Sequence, residues 1–406
     1  MHNTLKRVLA FLGLRPNILV MLAGVFALGL GEELWSRFIP KYLEFLGAGI
    51  WVIGIFGAVK DLLDALYQYP GGWLADRLGH RRSLILFTLL ALGGYLLLMI
   101  SQGWEFILLG MIFITAWGSS ATPVIFTIIG DNLPATSRSI GFGVQSILKR
   151  VPILIAPVLG GWAILQFGLA AGMRASFAAS IILAILVVWI IRRYYIDLAP
   201  ARIDQFSSHE IWRSMDQRLK RLLISDCFAR WAEGIPEVFI ILYIVDKLGY
   251  NSLHFGTFTS VQMLTSIALY IPIAKLSDRV DRKPFILLTF IFFALFPLSI
   301  LAGGGYASIL PAFIIGGLRE IGEPARKALI VDLAPESIRG RTVGLYYLVR
   351  GLIVFPASLV GAWLWTIDPR LPFLLAFIAG ACGVIAFTAS MSSLSPSQIH
   401  HQEDVQ

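Results

Sequence analysis

Apolar residues in this chain gather into long, nearly unbroken runs rather than the short amphipathic rhythms of a water-facing domain. Twelve such runs cover residues 17–39, 50–70, 83–101, 105–130, 139–165, 174–191, 221–244, 254–274, 284–301, 307–331, 341–365 and 371–390. A helix needs roughly 20 apolar residues to cross a hydrocarbon core about 30 Å thick. Each run therefore predicts one membrane-spanning helix, numbered span 1 to span 12. Transmembrane strands would alternate strictly over about ten residues, and these runs are too long and too uniform for that. The expected fold is an all-α integral membrane protein.

Basic residues collect in alternate loops: twenty lie on the side of the N-terminus and four (Lys41, Arg174, Lys247, Arg370) on the other. Cytoplasmic loops carry such an excess, so both termini are expected in the cytoplasm and the number of spans is even. The segment before span 1 holds Lys6, Arg7 and Arg15 with no small-residue cleavage site after it, which predicts an uncleaved tail.

Composition agrees. The 406 residues are 57% hydrophobic and only 14% charged, with a mean hydropathy of +0.76, whereas soluble domains are about 25% charged. A water-soluble enzyme and a disordered chain are excluded. The net charge of +8 is explained by the loops, so no nucleic-acid partner is expected. Cys227 and Cys382 both lie in apolar runs and imply neither a disulfide framework nor a metal site.

The chain repeats itself. Asp131-xx-Pro134-xxx-Arg138-xxxx-Gly143 recurs as Asp332-xx-Pro335-xxx-Arg339-xxxx-Gly344, an offset of 201 that Pro123/Pro324 and Trp162/Trp363 keep. The loop Gly72-xxx-Asp76-Arg77-x-Gly79-His80-Arg81-Arg82 has a weaker copy at Asp278-Arg279. A six-plus-six duplication follows. Its expected parts are a tail at 1–16, a six-helix bundle at 17–191, a polar linker at 192–220, a second bundle at 221–390 and a tail at 391–406. Internal repeats of this kind place a transport site at the midplane between two rocking halves.

The Gly72–Arg82 loop resembles the signature of the major facilitator superfamily, with His80 at the family's first basic position after the second Gly. Pro152-xxx-Ala156-Pro157-xx-Gly160-Gly161 in span 5 resembles the antiporter signature of drug–proton exchangers, with Pro152 and Ala156 at positions usually Gly. Those exchangers carry an intramembrane Arg ahead of Gly118, where this chain has Ile114. The resemblance implies two pseudo-symmetric six-helix bundles, alternating access and a pathway lined by spans 1, 4, 7 and 10. A monomer is usual in the family.

Independently of the name, Asp76 just beyond span 2 can face the positive N-terminus of a neighbouring helix, with Arg77, Arg81 and Asp131 completing a charge cluster. Gly72, Gly79 and Arg138, and in the second half Asp278, Arg279, Asp332 and Arg339, complete this expected cytoplasmic latch. The bland alternative is that these are topology charges only.

Setting aside the terminal residues of each span, nine basic and nine acidic residues fall inside the spans. Each costs about 2.5–3.5 kcal/mol at a helix centre on insertion scales, so each must pair or border a wet cavity. Asp226, Arg230, Glu233 and Glu237 step by helical intervals, as do Arg319, Glu323 and Arg326, with Glu320 and Lys327 alongside. Span 1 adds Glu32, Glu33 and Arg37, and span 2 adds Asp61 and Asp64 beside Lys60; span 4 offers Thr115, Ser119 and Thr122. Lys149 and Arg350, again 201 apart, are expected to pair with Asp61 or Glu323. Substrate or proton-pathway candidates are Glu32, Glu33, Arg37, Asp61, Asp64, Lys149, Arg230, Glu233, Glu237, Arg319, Glu320, Glu323 and Arg350; interhelical salt bridging without transport is the competing reading. Glu33, Asp61, Glu233 and Glu323 are the carboxylates placed to carry a proton.

The expected function is secondary active export of a small organic solute by alternating access, with protons as coupling ion, in the cell's inner (plasma) membrane. Proton-coupled uptake or facilitated diffusion is the alternative, followed by a non-transporting sensor or a lipid-acting membrane protein. No Gly-xxxx-Gly-Lys-Ser/Thr loop occurs, which argues against ATP coupling. The six histidines sit mostly at span edges, so neither an enzyme nor a cofactor is expected.

Overall fold

A computed structural model describes residues 16–132, 135–195, 208–277, 282–334 and 339–392. Within these, the side chains of 16, 68–73, 75–76, 119–147, 208–209, 271, 274–275, 277, 328, 332, 339–341 and 391–392 lie outside the description. Every described element is helical.

Each apolar run becomes a helix or an interrupted helix. Spans 2 to 6 are Ile50–Leu78, His80–Met99, Trp104–Asn132, Ala135–Phe167 and Leu169–Tyr194. Spans 8, 9 and 12 are Ser252–Ser277, Lys283–Ala302 and Leu371–Ser392. Among the described residues, seven helices are long and apolar enough to cross a membrane on their own. Spans 7 and 10 are not among them, because both carry the charge stripes.

The interruptions follow a plan. Span 1 runs Pro16–Glu33, passes through a 3-10 turn at Ser36–Phe38 and resumes as Ile39–Phe45. Span 7 runs Gln217–Gly234, takes a 3-10 turn at Glu237–Phe239, and continues through Ile240–Leu242 into a π turn at Tyr243–Lys247. The two 3-10 turns keep the repeat offset, and each segment ends just before a glycine at positive φ, Gly47 or Gly249. Only glycine adopts that conformation without steric cost. Span 10 is Tyr306–Leu318 followed by Glu323–Asp332, and span 11 is Arg339–Val354 followed by Ala357–Ile367. Pro236, Pro324 and Pro356 stand at three of these breaks, each lacking the N–H that would continue the ladder.

By compactness the chain divides into one unit of Met1–Gln205 with Val238–Ile267, and another of Phe206–Glu237 with Ala268–Gln406. In the first, span 3 packs on spans 4 and 6, and span 1 on spans 5 and 6. In the second, span 9 packs on spans 10 and 12, and span 7 on spans 11 and 12. The duplicated sequence thus yields duplicated neighbour relations. The first unit also holds span 8 against span 5, where Ser260 Oγ donates to the Leu154 carbonyl at 2.5 Å.

Entry into span 7 is capped by Asp216, whose carboxylate accepts from the Arg218 backbone N–H at 2.7 Å and from its guanidinium. Partial burial pushes this carboxyl up, but the Arg218 hydrogen bonds outweigh it and hold the group below its ordinary value.

The span 5 glycines have a packing role. A Cβ on Gly160 would lie 1.9 Å from the Leu34 carbonyl oxygen, and one on Gly161 would lie 2.5 Å from that of Ser252. Both oxygens belong to backbone and cannot swing away. Gly160→Leu and Gly161→Leu are therefore expected to destabilise the protein by at least the ~1–3 kcal/mol of ordinary overpacking. Gly93→Ala, where an added Cβ meets nothing within 4 Å, should leave the thermal midpoint unchanged or slightly raised. Equal midpoints for all three in thermal unfolding of the purified protein would refute this packing role.

Candidate transport site

The charge stripes of spans 7 and 10 meet in the second unit and are joined by span 11. Asp226 is the centre. Its Oδ2 accepts from Arg326 Nη1, from Arg350 Nη1 at 3.1 Å and from the Tyr346 hydroxyl at 3.1 Å. Three donors from two other spans converge on one oxygen of a side chain that is 1% exposed. Arg326 is equally buried and also grips Glu323, through Nη2 and through Nε at 3.0 Å. Glu323 is shared further with Lys327 Nζ at 3.4 Å and Arg230 Nη2 at 3.5 Å. It opens the lower segment of span 10, where its negative charge complements the helix N-terminus. Gly322, just before it, donates its N–H to Thr289 Oγ1 of span 9 at 2.6 Å, so the break in span 10 is held from two sides.

A looser tier adjoins this dry one. Arg230 Nη1 meets Glu233 Oε2 at 2.6 Å, while Arg319 Nη1 approaches Glu233 Oε1 only to 3.6 Å. The Arg319 guanidinium lies over the rings of Phe296 and Phe293, 4.4 and 5.1 Å from their centroids, and its Nε donates to the Gly316 carbonyl at 3.0 Å. Arg230 also faces Phe293 at 5.3 Å, and Arg350 lies over Tyr347 at 4.6 Å. Rings beside guanidinium groups stabilise them by roughly 0.5–2 kcal/mol each, more when desolvated. Glu237 and Glu320, both half-buried, lie within electrostatic range of Arg319.

One sequence expectation changes. Arg350 does not pair with Glu323, whose oxygens are occupied by Arg326, Arg230 and Lys327; it reaches Asp226 instead. Arg326 is sealed among carboxylates, whereas Lys327 is half exposed.

The first unit also carries ionic residues on its spans. Arg37 Nε pairs with Glu33 Oε2 at 3.3 Å. Glu32 lies within electrostatic range of Glu33, Lys60, Asp64 and Lys149. Asp61 and Asp64 are half-buried on span 2, and Lys149 is exposed. Pro157 presents its carbonyl to Gly256 of span 8, where an added Cβ would sit 2.2 Å away.

Of the latch residues, Arg77 is exposed at the end of span 2, and Gly79 at φ +80° caps span 3. Arg81 Nη2 donates to the Arg192 carbonyl at the end of span 6, a cation serving the negative end of a helix. The side chains of Asp76, Asp131, Arg138, Asp332 and Arg339, the glycine Gly72, and the pair Asp278 and Arg279 lie outside the described residues.

Sequence reasoning left Asp226, Arg326 and Tyr346 out of the site. The signal for the first two was present in the helical spacing of each stripe; that for Tyr346 was only its place four residues before Arg350. Lys41 was counted as a loop charge. It joins Glu44 at 2.6 Å and Asp246 of span 7, two acids that each precede a positive-φ glycine by three residues.

The family model for the Major Facilitator Superfamily matches residues 21–231 and again 222–404. The chain belongs to the Major Facilitator Superfamily. Relatives span nearly its whole length: an uncharacterised MFS-type transporter of Methanocaldococcus jannaschii is 24% identical, with 90% of this chain and 94% of that protein covered. Multidrug resistance protein MdtG of Klebsiella pneumoniae is also 24% identical, covering 94% of this chain and 93% of its own. Among solved structures, the peptide transporter POT superposes with a TM-score of 0.76 at 16% identity, over 92% of this chain and 93% of that one. The nucleoside transporter NupG gives 0.74 at 14%, over 92% and 99%. The chain therefore has the major facilitator fold, two pseudo-symmetric bundles of transmembrane helices. It is an integral membrane protein whose relatives and fold are those of transporters of small molecules.

The two tiers differ in what holds them. Removing one partner from a buried ion pair costs about 3–5 kcal/mol because a desolvated charge is left behind. Exposed pairs contribute about 0–1 kcal/mol. Arg326→Leu should therefore lower the thermal midpoint sharply, and Lys327→Leu should barely move it; equal shifts would show that the buried cluster does not hold spans 7, 10 and 11 together.

Proposed function

We propose that this protein is a proton-coupled secondary transporter of a small organic solute, operating by alternating access between the halves at 17–191 and 221–390. The observation that carries this is the two-tiered cluster. Asp226, Arg326 and Glu323 hold the broken spans, and beside them Glu233 makes one close contact and one loose one with Arg230 and Arg319. A carboxylate with few partners can exchange a cation for a proton; one held on every side cannot. Glu233 is thus the proton carrier, and Glu323 is assigned to the scaffold.

Export is supported by the partial antiporter signature at Pro157, Gly160 and Gly161 and by the MdtG relatives. Uptake is a second reading, favoured by the pairing of Glu233 with two arginines, since protonating it frees positive charge inside the site. Glu32, Glu33, Arg37, Asp61, Asp64 and Lys149 are the pathway residues of the first half. The 72–82 loop with Asp131 and Arg138, and its counterpart at Asp278, Arg279, Asp332 and Arg339, latch the cytoplasmic side. The protein works as a monomer in the inner (plasma) membrane with both termini cytoplasmic, and the Lys41–Asp246 contact closes the far side.

In proteoliposomes under an imposed pH gradient, Glu233→Gln is expected to flatten the pH dependence of solute flux. Glu323→Gln should lose folded protein first. Asp76→Asn should insert normally and transport more slowly. Identical pH profiles for wild type and Glu233→Gln would remove Glu233 from the proton path, and unchanged rates for Asp76→Asn would reject the latch.

A further inference from the structure

We propose that Arg319 and Arg230 form a subsite for one negatively charged group of an organic acid, with the Glu233 carboxylate as its internal competitor. This rests on the transport reading above and assigns its substrate class.

Arg319 makes one hydrogen bond, from Nε to the Gly316 carbonyl, and its Nη1 comes no nearer than 3.6 Å to Glu233. Two parallel N–H donors aimed at a carboxylate, sulfonate or phosphate are the geometry that arginine offers best, and here the two terminal nitrogens make no hydrogen bond, only the 3.6 Å ion pair of Nη1 with Glu233. Arg230 Nε, beside it, is buried without a hydrogen-bond partner. An unsatisfied buried donor is destabilising, and an arriving oxyanion would satisfy it. Phe293 and Phe296 flank the Arg319 guanidinium and supply an apolar wall for the body of such a ligand.

Charge counting limits the ligand. Around the cluster stand Arg230, Arg319, Arg326, Lys327 and Arg350 against Asp226, Glu233, Glu237, Glu320 and Glu323. The groups facing Glu233 are Arg230 on its own span, Arg319 from span 10 and Arg350 from span 11. The packed spans 9 and 12 bring only Lys283, at the start of span 9, and Cys382. Five cations balance five carboxylates. Protonating Glu233 leaves an excess of one positive charge beside an open guanidinium fork, which a monoanion matches and a cation does not. A solute bound only together with a proton travels in the proton's direction, so for this class the cluster specifies cotransport, the second of the two directions above and not export by exchange.

The test uses the full-length purified protein and probes sharing one ring: benzoate and benzenesulfonate against benzylammonium and benzyl alcohol. The two anions should raise the thermal midpoint, with affinity rising as pH falls, by at most about tenfold per pH unit for a single linked proton. Glu233→Gln should bind them at least as tightly and without pH dependence. Arg319→Gln should lose them, and Arg319→Lys should retain part of the affinity. Where Arg319→Gln does not fold, the pH-independence of Glu233→Gln stands as the deciding measurement. Preferential binding of benzylammonium, or anion affinity with the same pH slope in wild type and Glu233→Gln, overturns the anion subsite. If the anions bind as expected, proton uptake accompanying benzoate flux into vesicles confirms cotransport, and oppositely directed flux refutes it. Proton-coupled flux of benzylammonium or benzyl alcohol that is indifferent to Arg319→Gln would leave the transport reading standing without this subsite, whereas no binding and no flux of any probe would remove both.

Discussion

An ionised side chain in hydrocarbon must find an opposite charge or water, and that constraint organises the second unit. Insertion scales set the penalty at about 2.5–3.5 kcal/mol per charge at a helix centre, so single charges would eject the helices that carry them. Asp226 resolves this by drawing Arg326, Arg350 and Tyr346 onto one oxygen. Spans 7, 10 and 11 are thereby bound by an interaction that none of them could keep alone. Apolar contact cannot serve the same purpose in a bilayer, because lipid tails solvate leucine as well as another helix does.

The broken helices belong to the same account. A continuous helix satisfies all its backbone groups internally, and a break exposes some of them. Here the exposed groups are answered locally: the Gly316 carbonyl accepts from Arg319, and the Gly322 N–H donates to Thr289. The interruptions thus bring polar backbone and charged side chains of spans 9 and 10 into contact. Their recurrence in spans 1 and 7 at the repeat offset shows that the duplicated sequence preserves the breaks as well as the spans.

The dry and looser tiers divide labour by access. Arg326 and Asp226 are each 1% exposed, whereas the Glu233 side chain keeps 26%. Groups that hold the fold are shielded from water, whereas the Glu233 carboxylate keeps accessible surface.

Length and uniformity of the apolar runs determined the spans and the all-α class, because the bilayer imposes one ruler on every segment. The fixed offset of the loop motifs likewise determined the duplication, and helical spacing put Arg230, Glu233, Arg319 and Glu323 on interior faces. Partner choice was not legible there. Periodicity says which face of a helix a charge occupies, but not which charge on another helix lies opposite, so Arg350 was expected at Glu323 and is found at Asp226. Only the packing of three spans decided that, together with the sealing of Arg326 and the open fork of Arg319, since distance and solvent access arise when separate faces are brought together.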